Sequence, residues 1–293
     1  MQRSTGFLIL MITASLACGL MSSPIQSQEP DLATTVAETM DALPTAAQPV
    51  LELTTEFTGT FIAFSDGNLT IPPGLGSGAS ETLVPPASGP EVPPWQMTPG
   101  HSELSLEGYP LQGTFHSPKI YVFPAQTASL PPGAQDNIQL LGELLTNPAK
   151  LLAENNLPLI PFFNAVAVFA AQEQNLRFQN GAGVRMVTQY AQSFAKVNNQ
   201  ELFYHFQGLS DDRTFYVIVI LPVNAPILPS DSGEGAVLPP DGVPFPDYAD
   251  PNANFEGYYA AVRGELNHLP ADEFNPPLTL LDMLVASLQV TTP

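Results

Sequence analysis

From Leu51 the chain alternates apolar and polar side chains. Leu51, Leu53, Thr55 and Phe57 stand between polar neighbours, and Thr60 to Phe64 continues the run. A period of two puts successive side chains on opposite sides of an extended backbone, so the pattern predicts a strand. Asp66-Gly67-Asn68 supplies a turn before Leu69-Thr70-Ile71, which predicts a hairpin. Lys119 to Phe123 reads as another short strand. Residues 134–154 change to helical spacing, with Ile138, Leu141 and Leu145 on one side. Asn147-Pro148 interrupts that helix, and Asn147 caps a second short one with Pro148 at its first position.

The central block returns to a period of two. Val166, Val168 and Ala170, then Leu176 and Phe178, alternate. Asn180-Gly181 is a turn signal, and Val184 to Ala191 makes the next strand. Leu202, Tyr204 and Phe206 define a third, and Ser210-Asp211-Asp212 turns into Thr214 to Leu221. Phe215 to Leu221 is apolar on both sides, so that strand belongs in the middle of a sheet covered above and below. The covering elements are helices. Asn252 to His268 carries a stripe of Phe255, Tyr258, Tyr259, Val262 and Leu266, and Pro277 to Ser287 carries Leu281, Leu284 and Val285, with Leu288 just beyond. The expected class is α+β, an antiparallel sheet with helices on both faces.

The 32 prolines and 21 glycines are unevenly spread. They concentrate at 72–100 and 222–251, which read as loops because proline cannot donate to a sheet ladder. Residues 18–48, rich in Ser, Gln, Ala and Pro, have no sustained apolar stripe and read as a flexible tether. Residues 49–293 then form a single α+β domain.

The opening residues carry an address. Met1-Gln2-Arg3 is cationic, Phe7 to Leu16 is apolar but too short for a permanent membrane span, and Ser15-Leu16-Ala17 places small residues before Cys18. This order reads as an export signal over 1–17. Cys18, the single cysteine, then becomes a lipid-attachment residue at the mature N-terminus. Ser15 stands where the usual lipoprotein box has Leu, so ordinary secretory cleavage is the alternative. The expected location is outside the cytoplasm, lipid-anchored to the cell membrane or secreted. The formal net charge of −20 repels nucleic acid, which removes it as a partner.

Asn180-Gly181-Ala182-Gly183-Val184-Arg185, Thr188 to Gln192, Asn198-Asn199 and Leu202 to Leu209 resemble the core of a group of bacterial lipoproteins, and Leu280-Leu281-Asp282 to Ser287-Leu288 is similar too. That likeness covers roughly residues 110–293 and brings no activity with it. The order of elements, and Phe64 to Pro72 in particular, resembles the PsbP-like fold of photosystem accessory proteins, which implies an α/β/α sandwich. The Gly-Trp expected after that proline is replaced by Pro73-Gly74-Leu75, so the resemblance does not extend to a photosynthetic role.

Candidate chemistry is thin. Asp250 to Glu256 offers oxygens at alternate positions like the start of a calcium loop, but Phe255 stands where that loop needs Gly and Ala261 where it needs Glu. Asp250 as a helix cap with Pro251 behind it explains the same residues. His101, His116, His205 and His268 are scattered, without zinc spacing. Ser193 and Ser210 have no paired base, and no Gly-x-Ser-x-Gly elbow occurs. Glu201, His205 and Gln207 alternate to one side of a strand, and Arg185 and Gln189 share a side of its neighbour. If those sides coincide, Arg185, Gln189, His205 and Gln207 form a polar patch for a small ligand.

No catalytic residue, metal or cofactor is expected. The sequence therefore points to a membrane-tethered binding or scaffolding domain with a partner in the cell envelope, and does not fix an oligomeric state. A hydrolase with an unrecognised site and a small-ligand-binding lipoprotein are the alternatives.

Overall fold

The computed structural model describes residues 57–93, 96–126, 130, 133–147, 157–160 and 163–291. The export segment, Cys18, the tether, the positions 51–56 and the helix expected from Pro148 lie outside the described residues.

Seven strands make the main sheet. They are β3 (Gly78–Val84), β4 (His101–Glu107), β5 (Lys119–Pro124), β7 (Ala171–Phe178), β8 (Gly181–Thr188), β10 (Phe203–Ser210) and β11 (Phe215–Pro222). They pair antiparallel throughout, in the order β3-β4-β5-β11-β10-β8-β7. The doubly apolar strand β11 is the middle one, as its two water-avoiding sides require. Every residue of β10 and β11 is buried. Phe215, Val217, Val219 and Leu221 belong to one apolar cluster, whereas Tyr216, Ile218 and Ile220 belong to another on the reverse side.

The first cluster takes in Tyr258, Tyr259, Val262 and Leu266 of α2 (Phe255–His268), and Leu278, Leu281, Leu284 and Val285 of α3 (Leu278–Ser287). The second takes in Ala134, Ile138 and Leu141 of α1 (Ala134–Leu144), with Ile160 from the segment 157–160. The fold is thus antiparallel and mostly β, with three helices among the described residues. Among the described residues the second cluster draws on α1 and on the segment 157–160.

Two smaller ladders flank the sheet. β1 (Thr60–Phe64), β2 (Gly67–Ile71) and β12 (Gln289–Val290) form one, and β6 (Val166–Ala167) with β9 (Tyr190–Ala191) forms the other. The expected β1–β2 hairpin forms, but its two-residue loop is Ser65-Asp66, earlier than the expected Asp66-Gly67-Asn68, since Gly67 and Asn68 already pair in β2. Ser287 ties α3 to it, its hydroxyl accepting from Thr70 N at 2.9 Å and donating to Thr70 O at 3.0 Å.

Several local expectations shift. The 72–100 segment is not all loop: its proline-free stretch supplies β3, an edge strand paired to β4. Phe178 pairs with Gly181, so the turn is Gln179-Asn180, one residue earlier than expected. The Asn180 side chain is used elsewhere: it accepts from Val290 N at 3.0 Å and donates to Val290 O. The run from Val166 divides into β6 and β7, and the strand expected at 184–191 divides into β8 and β9. Helix α2 is capped by Asn254, whose Oδ1 accepts from Gly257 N at 2.8 Å, instead of by Asp250, which accepts from Asn252 N at 2.9 Å in the preceding turn.

Gly183 and Gly208 face each other across the β8–β10 ladder, under the Phe206 ring. A Cβ on Gly183 would lie 2.3 Å from Gln207 O and 2.6 Å from Phe206 Cζ, and one on Gly208 would lie 2.7 Å from that Cζ. Only hydrogen fits, which is the reason for glycine here.

Candidate functional site

The four residues of the expected polar patch do not share a side of the sheet. In the β8–β10 register Arg185 pairs with Phe206, and His205 pairs with Met186. Residues paired across a ladder point the same way, so Arg185 faces the side that carries α2 and α3, and His205 and Gln207 face the reverse side. The premise that the two polar stripes coincide fails by one residue of register.

Each half is instead consumed by the fold. Arg185 is 3% exposed and reaches Asp282 on α3 through two contacts, Nε to Oδ1 at 3.2 Å and Nη2 to Oδ2 at 3.3 Å. Its Nη2 also donates to Gln174 Oε1 at 2.8 Å, and its Nη1 to Gln172 O. The Tyr204 hydroxyl donates to Asp282 Oδ1 at 3.0 Å. Burial raises the Asp282 carboxyl, and the Arg185 guanidinium and Tyr204 hydroxyl pull it back. A buried charge closed by this many donors anchors a helix to a sheet and leaves little for a guest.

On the reverse side, Gln207 Oε1 accepts from Ile160 N at 2.9 Å and from the Tyr216 hydroxyl. Gln207 Nε2 donates to Ile160 O at 3.0 Å and meets His205 Nε2 at 2.9 Å. That network makes His205 Nε2 an acceptor and assigns the ring proton to Nδ1, which has no partner among the described residues. Burial pushes His205 down to about 3, helped by nearby His116, itself pushed down to about 4 by burial. His116 packs on Phe203 with ring centres 4.4 Å apart, and on Phe163 at 4.9 Å. Both rings stay neutral at ordinary pH.

Gln189 meets Glu201, the other polar residue of that alternating stripe. Its Nε2 donates to Glu201 Oε2 at 2.9 Å and to Lys196 O at 3.2 Å, and its Oε1 accepts from Asn198 N at 3.1 Å. These bonds shape the loop at 196–201. Ser210 is also structural. Its hydroxyl donates to Asp212 Oδ1 at 2.6 Å and accepts from Phe215 N at 3.0 Å, which holds the β10–β11 turn.

An apolar opening lies elsewhere among the described residues, in a stretch that reads in the sequence as loop, while a wider and more polar hollow runs along α1 beside Asp136, Glu143 and Arg213. A pocket of about 250 Å³ is lined by Ile227, Leu228, Leu238, Phe245 and Tyr258, with Lys196 on its wall. Residues 223–228 are not a loose linker, because Val223, Ala225, Ile227 and Leu228 are buried in the main cluster. Asn199 holds them there: its Nδ2 donates to Ala225 O and Leu228 O, each at 3.1 Å, and its Oδ1 accepts from Ala225 N at 2.8 Å. The opposite wall is fixed by α2. Tyr258 accepts from Val197 N at 2.9 Å, and Tyr259 accepts from Ala195 N at 2.7 Å and donates to Ala195 O at 3.1 Å. Burial pushes the Tyr258 hydroxyl up to about 12, so it is neutral.

Aromatic rings crowd beside the pocket. Phe194 stacks on Phe255 at 4.4 Å, Phe245 meets Tyr258 edge-on at 5.0 Å, and Tyr248 lies 5.3 Å from both Phe245 and Phe255. Phe194 and Tyr248 are nonetheless largely exposed, at 48% and 66%. The signal that was available is the set Ile227-Leu228, Leu238 and Phe245, apolar residues that a solvated linker has no reason to carry.

Set against known protein families, curated proteins and solved structures, the chain finds no match in any of the three comparisons.

Proposed function

We propose that this chain is a lipid-anchored, extracytoplasmic domain that binds or scaffolds a partner in the cell envelope and does not catalyse a reaction. In this reading residues 1–17 export the chain, Cys18 takes the lipid, residues 18–48 act as tether, and the globular part is an α/β/α sandwich of the PsbP-like kind. The observation that carries the binding role is the ring-lined pocket on the loop side, built from Ile227, Leu228, Phe245 and Tyr258 and flanked by exposed Phe194 and Tyr248. Exposed aromatic side chains around an apolar hollow are the composition of recognition surfaces. A hydrolase needs titratable groups converging on one opening. Arg185 and His205 stand on opposite sides of a sheet, each bonded into its own network, and this favours binding over catalysis.

Metabolic labelling tests the anchor. Cells producing the chain should incorporate labelled palmitate into the wild type and not into Cys18→Ser, with the wild type in the membrane fraction. An unlabelled, full-length chain recovered from cytosol would end this reading.

A further inference from the structure

Six lysines and arginines fall among the described residues. Lys119, Arg177, Arg185 and Arg263 each hold a carboxylate at 2.5–3.2 Å. Lys196 and Arg213 hold none within ion-pair distance, although the chain has 28 acidic residues against 8 basic ones. Arg213 caps α1 by donating to Gly142 O at 3.2 Å. Lys196 stands on the wall of the apolar pocket, where its Nζ makes one bond, to Gly233 O at 3.3 Å. The neighbouring Asp231 is bonded into its own turn, accepting from Gly233 N at 2.8 Å and from the Ser230 hydroxyl at 2.9 Å; these bonds hold its carboxyl low, and the Lys196 charge adds a smaller pull without closing an ion pair. An ammonium has three N–H donors, so two remain for a guest.

The pocket walls are set beforehand by Asn199 and Tyr258, which lowers the ordering cost of binding. Its size limits the guest. An apolar cavity of roughly 150 Å³ holds benzene, so about 250 Å³ takes about ten non-hydrogen atoms. Charge and size together define one class. We propose that this pocket binds a medium-chain carboxylate, its alkyl part against Ile227, Leu228 and Phe245 and its anionic head on Lys196 Nζ. The inference rests on reading the loop side as the binding surface.

The test is a titration of ¹⁵N-labelled full-length chain in detergent-free buffer, followed by amide shifts. Octanoate should move the Val197, Leu228 and Tyr258 amides. Hexanoate should bind about fifteenfold more weakly, since each methylene lost costs about fourfold, and dodecanoate should gain far less than that per carbon because the pocket is full. Lys196→Met should weaken octanoate by up to about fivefold, the upper end of the range for a partly exposed ion pair, while octan-1-ol binds the variant and the wild type alike. Lys196→Arg should retain octanoate. Three results would each overturn the inference: no shift at those amides, octylamine binding as tightly as octanoate, or Lys196→Met treating octanoate as the wild type does. The palmitate experiment is read separately. A chain that is lipid-labelled yet ignores octanoate sinks the ligand and leaves the anchored binding domain standing.

Discussion

Among the described residues Arg185–Asp282, joined by the Tyr204 hydroxyl, is the one ion pair in which a cation is almost fully enclosed, and the enclosure sets what each substitution does. Arg185→Leu strands the Asp282 carboxylate, whose remaining donor is the Tyr204 hydroxyl. Losing one member of a buried pair leaves an uncompensated charge and costs about 3–5 kcal/mol. The expected result is a clear fall in the urea midpoint. The double variant Arg185→Leu/Asp282→Leu removes both charges and should recover much of the loss, because burying an ion pair carries a desolvation cost that leucines avoid. If the double variant is no more stable than Arg185→Leu alone, the guanidinium contributes through its bonds to Gln172 and Gln174, not through the pair.

At the scale of elements, the β8–β10 ladder is the least forgiving part of the sheet. Gly183→Val would drive its Cβ into Gln207 O and the Phe206 ring, for a loss of about 3 kcal/mol. Gly264, inside α2 with open space around it, is the contrast: Gly264→Ala should stabilise by about 1 kcal/mol through helix propensity. Chemical denaturation of both variants checks the pair of signs. These same elements show what could be read beforehand. Strands β2 and β5 and helices α2 and α3 were legible because each buries one stripe or one alternating set, β10 through its alternating Tyr204 and Phe206, and β11 through an unbroken apolar run that marks a strand buried on both sides; those demands are written locally. Strand β3 was hidden by the prolines on either side of it, and β4 by having only Leu104 and Leu106 as apolar signals. The polar patch failed for a different reason. Arg185 and His205 each lie on a clear alternation, but a shift of one residue in pairing moves a whole stripe to the other side, and register depends on partners distant in sequence. The pocket was missed because proline and glycine content marks where a chain turns, not whether it packs. Ile227 and Leu228 pack by way of Asn199, and no local pattern announces that clamp.

For the molecule as a whole, acid is the informative perturbation. His205 and His116 titrate near 3 and 4 in the folded chain, below the ordinary histidine value near 6.5. As pH falls from about 6.5 towards 4, the unfolded chain takes up protons on these rings and the folded chain does not. Stability is therefore present above about 6.5 and is lost on the way down, by a few kcal/mol. Asp282 and Glu201 act in the opposite sense, since burial raises both and the folded state binds their protons first. The net charge of −20 adds a second opposing effect, because acid relieves the repulsion among carboxylates. His116→Phe keeps the ring packing on Phe203 and Phe163 while removing one titrating group. Its urea midpoint should fall less steeply between pH 6.5 and 4 than that of the wild type. Parallel curves would show that His116 is not a source of the acid sensitivity.

The three-stranded ladder has a bearing on timing. Strand β12 lies beside β2, more than two hundred positions earlier in the chain; Asn180 grips Val290, and Thr291 N reaches Asp66 O at 2.9 Å. A ribosome that has delivered everything up to α3 has made both hairpin partners but not the strand that completes them. The last closure must wait until residues 289–291 emerge, so this domain finishes folding only after nearly all of it has been synthesised.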